Sequence, residues 1–270
     1  MAPMDKAELI AHRLPKVRAL LESCLLCGHR CGIDRTAHAR GACRTTSRDI
    51  EHARCASYCP HFGEEPMLVG RGGSGTVFLS HCNLRCVFCQ NHQISQDGLG
   101  EDIHYTELAE RFLRLQAQHV ENINLVTPTH YIYPILLALR EAYRNGLRLP
   151  LVYNTNGYDS LELLELLDGI VDVYLPDMKY MDDAHARRYS NAPGYPETAK
   201  RALIEMYRQT GPVVLDEGIA QRGLIVRHLV LPNHLANTYD FLLWMKDAGL
   251  TDATLGLMSQ YAPQHHALEF

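Results

Sequence analysis

The stretch Gly73–Asn91, GSGTVFLSHCNLRCVFCQN, decides how the chain is read. Its first half, Thr76–His81, is an uncharged, β-rich run. It feeds a loop with Cys82, Cys86 and Cys89 in a C-x3-C-x2-C spacing. Sites built only from thiolates usually want four sulfurs, both for tetrahedral zinc and for closed iron–sulfur cubes. A short loop after a strand can wrap three thiolates around three irons of a [4Fe–4S] cube. The fourth iron is then open to an exchangeable ligand. A ferredoxin would close the site with a C-x2-C-x2-C-x3-C run, which is absent. The spacing therefore predicts a cluster with a substrate-accessible iron; the bland alternative is a zinc knuckle with a distant fourth ligand.

Downstream of this loop the chain alternates. Strand patterns at Thr76–His81, Ile123–Thr127, Leu149–Asn154, Val171–Pro176, Leu224–Leu231 and Thr254–Met258 are separated by helical patterns. The helical patterns cover Tyr105–Val120, Pro134–Asn145, Leu161–Leu167, Pro196–Thr210 and Asn233–Ala248. Six strands alternating with helices predict an α/β fold with parallel strands, most simply a partial (β/α)6 barrel over residues 70–270. Residues 1–69 read as an N-terminal helix, with Pro15 as a kink or break, plus a small cysteine-rich module. The polar residues gather at strand ends: TPTHY (Thr127–Tyr131), NTNGY (Asn154–Tyr158) and PDMKY (Pro176–Tyr180). In βα barrels the site forms where the C-terminal ends of several strands meet, and the Cys82 loop sits at that same end.

Bulk composition narrows the class. The chain has 270 residues, 46% of them apolar, enough for one large domain or a medium one with an appendage. A net charge of -5 argues against a nucleic-acid partner. No signal peptide or membrane span is legible, so the expected location is the cytoplasm. All nine cysteines fall between Cys24 and Cys89, a crowding that favours metal over a disulfide framework.

The segment Cys82–Cys89, with an aromatic just before its last cysteine, resembles the hallmark of radical S-adenosylmethionine (radical SAM) enzymes. The surrounding text, with VYNTNGY (Val152–Tyr158), VDVYLPDMKY (Val171–Tyr180) and VRHLVLPN (Val226–Asn233), is similar to the pyruvate formate-lyase-activating-enzyme-like branch. The resemblance spans roughly residues 60–262. It implies a radical-SAM-type barrel, a [4Fe–4S] cluster on Cys82, Cys86 and Cys89, and S-adenosylmethionine (SAM) chelating the open iron. An electron, supplied by a reducing partner such as flavodoxin or ferredoxin, then cleaves SAM to methionine and a 5′-deoxyadenosyl radical. That radical takes a hydrogen atom from the substrate.

Carried over by position, the resemblance implies a SAM-binding set of Phe88, Thr127, Thr129, Asn154, Asn156, Asp177, Lys179 and Arg227. Phe88 matches the aromatic near the adenine, and Thr127–His130 replaces a glycine-rich segment with TPTH. Asp177 and Lys179 flank one strand-end residue and so share a face, while Arg227 and its neighbour His228 face opposite sides. No residue is singled out as a catalytic acid or base.

The other cysteines suggest a second site. Cys24, Cys27, Cys31 and Cys43 supply four thiolates, a possible cage for zinc or an auxiliary iron–sulfur cluster. Cys55 and Cys59 form a C-x3-C pair without evident partners, and the Glu64-Glu65-Pro66 run has no assigned role. GRGGSG (Gly70–Gly75) precedes a strand rather than following one, so it reads as a flexible lead-in, not a phosphate loop. Three functions follow: a radical SAM enzyme activating a glycyl radical enzyme, one acting on a small molecule or peptide, or a non-catalytic metal-binding or electron-transfer protein.

Overall fold

The computed structural model describes residues 5–45 and 48–270. The chain begins with α1 (Lys6–Glu22), which runs through Pro15 as one helix. Its buried stripe, Ala7, Ile10, Leu14, Val17 and Leu21, has members on both sides of the proline. Packing on both flanks therefore offsets the lost backbone hydrogen bond. A cysteine-bearing loop follows, then β1 (His52–His61), α2 (Pro66–Val69) and β2 (Ser74–Leu79).

After the cluster loop come α3 (His92–Ser95), β3 (Glu101–His104), α4 (Tyr105–Ala117), β4 (Ile123–Val126) and α5 (Ile132–Arg144). Next are β5 (Leu151–Thr155), α6 (Leu161–Leu167), β6 (Val173–Pro176), α7 (Asp183–Ser190) and α8 (Tyr195–Thr210). The last elements are β7 (Val214–Asp216), β8 (Ile219–Leu229), α9 (Thr238–Asp247) and β9 (Thr254–Met258). Among the described residues no helix is long and apolar enough to cross a membrane.

The six expected strands, now β2, β4, β5, β6, β8 and β9, pair in that order and all in parallel. This is the open, partial barrel expected from the alternation. β5 and β6 are buried at every position, as strands covered on both faces must be. The helices between them cover the outside. Nine residues of α5 are buried, and the helix packs against α1 and α4.

Three features depart from the sequence reading. β1 pairs antiparallel with β2 and with β3, so residues 52–61 extend the barrel sheet across the boundary drawn at residue 70. The Gly70–Gly75 segment is a fixed turn rather than a flexible lead-in. Glu121 accepts the backbone N–H groups of Arg71 and Gly72 at 2.9 and 3.0 Å. A Cβ on Gly72 would lie 1.9 Å from the His119 carbonyl oxygen, so only glycine fits this approach. The last long helix starts at Thr238, not Asn233, because Asn233 and Asn237 adopt positive φ.

The far end of the barrel is closed from inside. α2 inserts Leu68, fully buried, against Val152, Val173, Leu175, Ala220 and Ile225. Beside it the Leu68 carbonyl accepts from Asn122 Nδ2 at 2.7 Å, and Ser74 donates to Asn122 Oδ1 at 2.7 Å. Asn124 Nδ2 donates to Ser74 Oγ at 3.1 Å. These hydrogen bonds satisfy polar groups that burial would otherwise penalise.

Candidate functional site

β2 delivers the three-cysteine loop to the open end of the barrel, and neighbours on several sides hold it there. The carbonyls of Tyr189 and Ser190, ending α7, accept the backbone N–H groups of Val87 and Arg85 at 2.9 and 2.8 Å. Arg85 reaches the Gln96 side chain at 2.9 Å and the Ala42 carbonyl at 3.2 Å. His29 Nε2 meets the Asn83 carbonyl at 2.7 Å. The N-terminal cysteine-bearing segment is thus packed directly on the loop.

Cys82, Cys86 and Cys89 line one cavity of about 180 Å³, together with Thr127, Asn154, Asn156, Asp177, Lys179 and Arg227. The strand-end residues expected to converge do so, from β4, β5, β6 and β8. Cys86, Cys89, Asp177, Lys179 and Arg227 also border a second chamber of about 260 Å³, whose apolar wall is Phe88, Leu229, Met258 and Tyr261. Phe88 meets Tyr261 edge-on at 6.2 Å. Thr129 is the exception. Its hydroxyl is buried and donates to Asp159 Oδ1 at 2.7 Å, so it braces the β4 and β5 ends instead of facing the cavity.

A charge network floors the cavity. Arg227 donates from Nε to Asp177 Oδ1 at 2.9 Å and from Nη2 to Asn154 Oδ1 at 2.6 Å. Lys179 Nζ bonds Asp177 Oδ2 at 2.7 Å. Burial pushes the Asp177 carboxyl up, but Arg227 and Lys179 outweigh it and hold the group below the usual carboxylate range. Burial likewise pulls Lys179 down, and Asp177 and Cys86 more than restore its ammonium. His228 points the other way, between the Met178 carbonyl at 2.6 Å and Thr238 Oγ1 at 2.9 Å, as strand alternation required.

Glu64 joins this network unforeseen, its carboxylate 3.4 Å from both Arg227 Nη1 and Asn154 Nδ2. The Glu64-Glu65-Pro66 run carried the signal; the fold it needed was not visible. Glu65 beside it keeps one buried oxygen unpartnered, and burial pushes its carboxyl up.

The donor set fits the [4Fe–4S] cluster that the resemblance implies. Among the described residues no three ligating side chains converge where a single ion would sit. Three thiolates on three corners of a cube need no such convergence. Burial pushes the Cys82 thiol up to about 12 and raises Cys86, a cost that thiolate ligation to a metal removes.

The N-terminal cysteines are arranged differently. Cys24 and Cys43 both accept from the Arg35 guanidinium, at 3.0 and 2.6 Å. Cys27 is buried, and burial pushes its thiol up to about 12. Cys55 and Cys59 lie on β1, and neither lines the cavity.

Comparison with known proteins agrees with the fold. The Radical SAM superfamily profile matches residues 76–229, from within β2 to the end of β8. A protein of Methanocaldococcus jannaschii, named Uncharacterized protein MJ0674, is 31% identical over 98% of this chain and 73% of its own length. From the three-cysteine loop, the parallel partial barrel and the profile that spans the loop and the first five of its parallel strands, the chain belongs to the radical SAM superfamily.

Proposed function

We propose that this chain reductively cleaves SAM at a [4Fe–4S] cluster held by Cys82, Cys86 and Cys89, giving methionine and a 5′-deoxyadenosyl radical that takes a hydrogen atom from a substrate. One observation carries the reading: the three thiols share a cavity wall with Asn154, Asp177, Lys179 and Arg227. Lys179 and Arg227 supply the positive charge a carboxylate would meet there. Asp177 holds both in place and gives a cationic group its counter-charge. Phe88, Met258 and Tyr261 give the adjoining chamber one apolar wall. Flavodoxin or ferredoxin supplies the electron.

For the substrate, we read a glycine of a partner protein, in the manner of a glycyl radical enzyme activase. The three stretches resembling that branch supply Asn154 and Asn156, Asp177 and Lys179, and Arg227, all on one cavity. A second reading, a small molecule or peptide, is favoured by the size of the 260 Å³ chamber beside the sulfurs.

Reduction of anaerobically reconstituted protein with SAM present tests the chemistry by release of 5′-deoxyadenosine. An intact cluster without cleavage returns the chain to the metal-binding or electron-transfer class. Label passing from a deuterated glycine into 5′-deoxyadenosine separates the two substrates. Iron and zinc analysis tests Cys24, Cys27, Cys31 and Cys43. About four irons per chain means one cluster, about eight a second cluster, and four with one zinc a structural site.

A further inference from the structure

Each of the three cavity cysteines meets hydrogen-bonding groups outside the motif. Cys82 Sγ accepts from the Leu84 backbone N–H at 3.3 Å and from Asn156 Nδ2 at 3.4 Å. Cys89 Sγ lies 3.1 Å from Ser95 Oγ. Cys86 Sγ accepts from Ser190 Oγ at 2.9 Å, the shortest of the set.

Ser190 differs from the others in the donor behind it. It is fully buried, as is Tyr180, whose hydroxyl lies 2.8 Å from Ser190 Oγ. An iron-bound thiolate can only accept, so the chain has one consistent direction: Tyr180 donates to Ser190, and Ser190 donates to sulfur. Chained donors polarise one another, and a dry surrounding strengthens each bond. The backbone fixes the geometry as well. The Ser190 carbonyl takes the Arg85 N–H and the Tyr189 carbonyl takes the Val87 N–H, one on either side of Cys86.

We propose that Ser190, polarised by Tyr180, raises the reduction potential of the cluster through Cys86. The inference rests on the cluster reading of Cys82, Cys86 and Cys89. A donor on a cysteine sulfur draws electron density from the cluster, and it favours the one-electron-reduced form, which carries the greater negative charge. Ser190 is a positioning residue that acts on the cluster through its ligand. Its side chain makes the cluster easier to reduce by a weak physiological donor.

The test uses the full chain, reconstituted anaerobically, as wild type, Ser190→Ala and Tyr180→Phe. The midpoint potential of the one-electron couple is followed by EPR during reduction with dithionite, and the iron–cysteine stretching bands are read by resonance Raman. Ser190→Ala is expected to shift the potential to a more negative value and to move the stretching bands. Tyr180→Phe is expected to shift the potential in the same direction by less. Equal potentials in the wild type and Ser190→Ala, with matching iron content, overturn the proposal. Should Ser190→Ala not retain a cluster, Tyr180→Phe decides: a wild-type potential overturns the proposal, a negative shift supports it. A wild-type chain that takes up no iron–sulfur cluster instead defeats the underlying cluster reading.

Discussion

Glu64 and Arg227 lie 163 residues apart in the chain and meet at 3.4 Å beneath the cavity. The contact ties the segment after the antiparallel strand β1 to β8, across the barrel interior. Its effect should reach ligand affinity through Asn154, which both residues touch. Arg227→Lys loses the paired donation to Asp177 and Asn154. We expect SAM affinity to fall roughly tenfold to a hundredfold, from the worth of charge-assisted hydrogen bonds. Glu64→Gln should cost less, and the double variant should cost less than the sum. Equilibrium binding of SAM to the reconstituted protein checks this; strict additivity would falsify the coupling.

Replacing Cys82, Cys86 or Cys89 with alanine should abolish 5′-deoxyadenosine release and remove the cluster's iron. Cys55→Ala should retain both, because Cys55 sits on β1 with its sulfur toward the Ser57 carbonyl. Iron content and product analysis of the four variants give the comparison.

Acid should destabilise the fold through His130. The ring is buried with Nε2 on the Ser80 carbonyl at 2.9 Å, and burial pulls its pKa down to about 3 from an ordinary 6.5. The unfolded chain therefore binds the proton first. The stabilising term is complete above pH 6.5 and is lost as pH falls toward 3, by about 1.4 kcal/mol per unit. Thermal unfolding should show a lower midpoint at pH 5.5 than at pH 7.5, and His130→Gln should flatten that slope.

Leu68→Ala should cost about 2–5 kcal/mol, the usual range for emptying a packed leucine site. Denaturant unfolding measures it. A loss under 1 kcal/mol would mean that α2 does not fill the barrel.

The barrel was legible because its signals are local. Uncharged runs such as Ile123–Val126 and Val173–Pro176 announce buried strands, and leucine spacing announces α5 and α6. The site was legible where a residue type is tied to a strand end, as with Asn154, Asp177 and Arg227. β1 was not, since HARCASYCPH has neither alternation nor a β-branched run, and only its pairing with β2 and β3 makes it a strand. Ser190 was equally hidden, because its role exists only once α7 folds back onto the cysteine loop. Thr129 misled for the opposite reason: position along the chain placed it at the rim, but the 3₁₀ turn Thr129–Tyr131 rotates its hydroxyl onto Asp159.

Because Leu68 stoppers the far end, the barrel is a cup rather than a tube. Whatever enters past the sulfurs does not leave through that end. Spent fragments and the next reactant therefore share the sulfur side, and turnover is expected to slow when methionine and 5′-deoxyadenosine accumulate.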